Sequence, residues 1–93
     1  MRINIFVPES SGPLVFDAVG AMTVGQAIAL LHDPDLRVRL VDESGIKRYV
    51  SAYLGVPGMG VRNVKLDQGM ETAIKEGEEL TLLIADPHIS ISE

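Results

Sequence analysis

The chain has no cysteine, which excludes a disulfide framework, a zinc-thiolate site and a thiol nucleophile. It has no tryptophan and only two tyrosines and two phenylalanines, so a stacking surface for nucleic-acid bases is not expected. Positive charge is scarce: eight Lys and Arg stand against thirteen Asp and Glu, a formal net charge of −5. That balance argues against a nucleic-acid or anionic-membrane partner, because both need clustered cations. No apolar run approaches the roughly 18 residues of a membrane span. The opening MRINIFVPES is too short an apolar stretch for a secretory leader and breaks at Pro8, so a cytoplasmic protein is expected. What remains is 93 residues, 46% of them hydrophobic and 23% charged, enough for one modest core in a single domain.

Ile3, Ile5 and Val7 alternate with Arg2, Asn4 and Phe6, the period of a strand. Pro8 to Pro13 is a turn cluster, and Leu14 to Val19 resumes strand character, so the two segments read as an antiparallel hairpin. Past Gly20 the period changes. Thr23 and Gln26 fit a capping box, and Val24, Ala27, Ile28 and Leu31 share one helical face. One main helix over about 23–32 follows, ended by Asp33-Pro34. Leu36 to Leu40 fits either a short strand or a helical turn. Asp42 to Gly45 is a polar turn, Arg48 to Leu54 a strand, Gly55 to Gly60 a loop, and Val61 to Leu66 a further strand. Gln68 to Ile74 suits one helical or 3₁₀ turn. Lys75 to Glu78 turns into a last strand, Glu79 to Ala85, whose nearly continuous apolar run predicts a central position buried on both sides.

One helix covers one face of a four- to five-stranded mixed sheet, so the expected fold is α+β in two layers. If the hairpin and the last strand lie together under the helix, the result is a ubiquitin-like β-grasp. A split βαβ arrangement is the rival topology, and it wants two full helices.

Three stretches resemble the ThiS and MoaD sulfur-carrier group of β-grasp proteins. Arg48-Tyr49-Val50-Ser51-Ala52-Tyr53 resembles the group's strand "RxVxVxV". Met70-Glu71-Thr72-Ala73-Ile74-Lys75-Glu76-Gly77-Glu78-Glu79-Leu80-Thr81-Leu82-Leu83 is similar to "L-x-T-x-L-x-D-G-D-x-V-x-I-L", and Thr23-Val24-Gly25-Gln26 resembles its helix start. The resemblance implies a domain over 1–86 with a tail over 87–93. In the group, an ATP-dependent enzyme adenylates a tail ending in Gly-Gly, and sulfur then replaces AMP to give a thiocarboxylate. The pair is bare because the tail threads a narrow channel. Here those positions fall at His88 and Ile89, and Gly77 is the last glycine. The expectation is therefore a non-catalytic protein acting by protein–protein binding, with an adenylating enzyme or a synthase large subunit as the implied partner class. A sulfur carrier activated at its C-terminus, for cofactor or cysteine biosynthesis, is the alternative.

The glycine-rich segment Gly55 to Gly60 sits between strands, whereas phosphate loops lead into a helix, so a hairpin tip is expected. His32 with Asp33 and Asp35 lacks the convergent ligands of a metal site, and a histidine in the last helical turn suits the helix dipole. Glu71, Glu76, Glu78 and Glu79 read as a solvated face. Residues 67–93 carry a net −6, which fits either a plain solubilising face or a field that steers a basic partner. Arg37, Arg39, Lys47 and Arg48 form a contrasting basic rim. The tail alternation Ile89-Ser90-Ile91-Ser92 fits a disordered end, a prolonged strand or an added edge on a partner's sheet. No catalytic, cofactor or metal residues are assigned. The partner-binding candidates are Tyr53, Met59, Glu76, Glu78, Asp86, His88 and Glu93.

Overall fold

A computed structural model describes residues 1–85. Strand β1 (Arg2–Phe6) turns Ile3 and Ile5 inward and Arg2 and Phe6 outward, as its alternation requires. β2 (Leu14–Asp17) returns antiparallel, with Asn4 opposite Val15 and Ile5 opposite Leu14. Helix α1 (Val24–Ala29) follows. Its cap, Thr23, accepts the Gln26 amide through its hydroxyl, while the Gln26 side chain accepts the Met22 amide at 2.8 Å. The reciprocal box is present, but its return bond reaches one residue further back than usual.

Helix α2 (Pro34–Leu40) comes next, then a small hairpin of β3 (Val41–Asp42) and β4 (Gly45–Ile46). β5 (Val50–Gly55) and β6 (Val61–Val64) form a second hairpin. A 3₁₀ segment (Leu66–Glu71) leads back under α1, and β7 (Glu79–Ile84) is the last strand among the described residues. The main sheet runs β2-β1-β7-β5-β6, with β1 and β7 parallel and the other pairs antiparallel. A parallel neighbour cannot be reached by a tight turn, so the chain crosses over the sheet, and the helices lie on that crossing. This is the α+β, two-layer β-grasp arrangement, and the strand order decides against the split βαβ rival.

The main helix expected over about 23–32 is α1, shorter at its end, and the Leu36–Leu40 stretch takes its helical alternative as α2. α1 ends at its C-cap Leu30, and Asp33 is the N-cap of α2, its carboxylate accepting the Asp35 and Leu36 amides. Asp33-Pro34 is therefore a start as well as a stop, since proline fits the first helical position. β7 is central as expected but covered on one side only. Leu80, Leu82 and Ile84 are buried under the helices, while Leu83 keeps 38% of its surface exposed on the opposite face. Two short helices can cover one face of the sheet, and no second layer exists among the described residues.

The core is the inner face of the sheet, chiefly Ile3, Ile5, Leu54, Leu80 and Leu82, closed by Val24, Ala27 and Ile28 of α1 and by Leu36 and Leu40 of α2. Among the described residues no helix is long and apolar enough to cross a membrane.

Candidate interaction surface

The uncovered sheet face follows from the strand registers. Because side chains alternate, residues opposite one another across neighbouring strands share a face. One row reads Phe6, Leu83, Ser51; the next reads Val15, Asn4, Thr81, Tyr53, Asn63. A third, nearer the β1 start, is charged at Asp17, Arg2 and Glu79. Asn4 Nδ2 donates to Glu79 Oε1 at 3.1 Å, tying the second and third rows together. Phe6 (40%), Leu83 (38%) and Val15 (55%) are large apolar side chains left exposed here, with Tyr53 half-buried beside them. An apolar centre with small polar neighbours and a charged edge has the composition of a recognition surface.

The structure distributes the sequence-derived candidates unevenly. Tyr53 lies on the open face. Met59 is exposed at the tip of the β5–β6 hairpin and lines, with Glu78, a shallow depression of about 300 Å³ beside β6. Glu76 is exposed in the turn before β7. Glu78 is not part of a solvated face: it is buried, and Arg62 donates to both its oxygens at 2.9 and 3.1 Å while the Lys75 amide donates at 2.7 Å. Arg62 holds its carboxyl below the usual range, burial opposes this, and the Lys75 amide adds to the lowering. Glu79, likewise, is engaged by Asn4 on the open face. Asp86, His88 and Glu93, the tail alternation and the 87–93 boundary lie outside the described residues.

The remaining candidates resolve locally. Gly55 to Gly60 is the hairpin tip expected. Gly58 and Gly60 take positive φ, and a Cβ at Gly55 would collide with the Gly60 carbonyl. His32 is exposed beyond the end of α1, so it does not serve that helix's last turn, and Asp33 is engaged as the α2 cap. No group of three or more His, Asp or Glu able to hold a metal occurs among the described residues. In the basic rim, Arg39 pairs with Glu9 and the Lys47 ammonium sits 5.8 Å from the Tyr49 ring centre. In the β3–β4 turn, the Ser44 hydroxyl and amide lower the Asp42 carboxyl below its usual range.

Sequence reasoning missed Phe6, Val15 and Leu83. The signal for Phe6 was present, because alternation puts it opposite Ile3 and Ile5. Leu83 had none, since its apolar neighbours on both sides hide which face is open. No family model matches the chain, and no curated protein or solved structure matches it.

Proposed function

We propose that this chain is a non-catalytic, ThiS/MoaD-like β-grasp protein that acts by binding another protein through its open sheet face. One observation carries the reading: a sheet covered on one side, with Phe6, Val15, Leu83 and Tyr53 on the uncovered side. Burying such side chains against a partner is favourable at about 25 cal/mol per Å² of apolar area. The acidic excess of residues 67–93 supplies long-range attraction to a partner with a basic rim. The resemblance points to an adenylating enzyme or a synthase large subunit as partner class. His88 and Ile89 at the family's glycine positions weigh against thiocarboxylate donation.

The test uses a photo-crosslinking residue at Ser51, on the open face, and at Glu43, in the β3–β4 turn. Expected is one discrete adduct from Ser51 alone, whose isolated partner binds the wild-type chain at least about tenfold more tightly than Leu83→Glu. Equal adducts from both positions, or unchanged affinity for Leu83→Glu at unchanged melting temperature, overturns the reading. So does a sulfur-for-oxygen mass gain at the C-terminus on incubation with ATP, a sulfur donor and an adenylating enzyme.

A further inference from the structure

The other layer of the molecule holds a cleft between α1, α2, β3 and the 3₁₀ segment. It encloses about 350 Å³, lined mainly by Ile28, Ala29, Val38, Val41 and Met70, with Arg37 at its side. That volume is near the lower end for small-molecule sites, which lie preferentially between packed elements. Val38 keeps 65% of its surface exposed there, an apolar side chain without cover on a helix whose Leu36 and Leu40 are buried.

Arg37 gives the cleft its chemistry. Its Nε is buried without a hydrogen-bond partner, and its guanidinium forms no ion pair among the described residues. The carboxylates that could have served it are engaged. Asp33, one turn earlier on α2, accepts two backbone amides, and Glu9 pairs with Arg39. Among the described residues no acidic side chain lines the cleft, although the chain as a whole carries −5. A guanidinium without an ion partner beside an apolar wall favours a ligand with an anionic end and an apolar body. A single planar fork matches a carboxylate. A phosphate dianion wants more cations or a cradle of amides, and among the described residues the cleft lining offers Arg37 as its one cation and no such cradle.

We propose that this cleft binds a small amphiphilic carboxylate, its chain against Ile28, Val38 and Met70 and its carboxylate on Arg37. The site lies across the core from the open sheet face and does not depend on the function proposed there. Its occupant would stiffen the two short helices against the 3₁₀ segment.

The experiment is a methyl and amide NMR titration of the full chain with octanoate, with octanol and acetate as comparators. Expected are saturable shifts at Ala29, Val38, Val41 and Met70, with octanol about tenfold weaker and acetate not saturating. Arg37→Gln should weaken octanoate about tenfold while leaving octanol unchanged. Ala29→Leu, exposed on α1 and directed at filling the cleft, should remove both. Spectra of each variant establish that it is folded. Shifts that drift without saturating, equal affinity for octanol and octanoate, indifference to Arg37→Gln, or shifts centred on Phe6 and Leu83 would each overturn the assignment.

Discussion

Glu78 is the one charged residue that the fold buries among those described, and its surroundings account for it. A carboxylate removed from water is tolerated only when its lone pairs are engaged. Here Arg62 grips both oxygens and also donates to the Ala73 carbonyl at 2.8 Å, so one guanidinium joins β6 to the segment leading into β7. Glu78→Gln removes the charge and leaves an amide NH₂ facing a guanidinium, a loss of about 2 kcal/mol. That is less than the roughly 3–5 kcal/mol of breaking a fully buried pair, because Arg62 keeps 40% of its side chain in water. The pH dependence follows from the direction of the shift. The folded carboxyl titrates below its ordinary 4.5, so the unfolded chain binds the proton first on acidification. The stabilisation is complete above that value and is lost as pH falls through the lower, folded pKa. Urea unfolding at a series of pH values should therefore show wild type and Glu78→Gln converging in acid. Parallel curves would sink this account.

The two helices show how a local pattern carries more than one instruction. Val24, Ala27, Ile28 and Leu31 are all buried, as their spacing requires, even though α1 ends at Ala29 and Leu31 packs from outside it. The alternation of Leu36 to Leu40 could not separate strand from helix by period alone. A strand would have buried Leu36, Val38 and Leu40 together. The structure buries the first and last, one turn apart, and leaves Val38 out. What decides between them is Asp33-Pro34, a cap followed by a residue with φ already set for the first turn. Asp33→Ala should cost about 1 kcal/mol, read as a lowered urea midpoint with unchanged m-value. Because α2 is only seven residues long, the loss should concentrate in the amides of Asp35 to Arg39 by hydrogen exchange. Uniform loss of protection, or none, would show that the cap does not hold this helix.

At the scale of the whole molecule, the strand pattern and the number of helices were enough to reach the two-layer sheet, but not the side on which it is open. The apolar run of β7 fixes a central strand, and the register does place it between β1 and β5. Whether its second face is covered depends on how many layers the chain can afford, which no residue of β7 encodes. For the same reason Tyr53 could be named from the sequence while Leu83 could not. The Arg37 cleft was hidden more deeply, since it exists only because α1, α2 and the 3₁₀ segment meet there. Central placement nevertheless has a measurable consequence. β7 is hydrogen-bonded along both edges, whereas β2 and β6 each have one free edge among the described residues, and exchange of a central amide requires the sheet to open. The amides of Leu80 to Ile84 and of Ile3 to Ile5 should exchange most slowly, at the rate of global unfolding. Those on the outer edges of β2 and β6 should exchange at least about tenfold faster through local fraying. If an edge strand proves as protected as β7, it is being covered in solution, and a second copy of the chain on that edge becomes the first thing to measure by sedimentation.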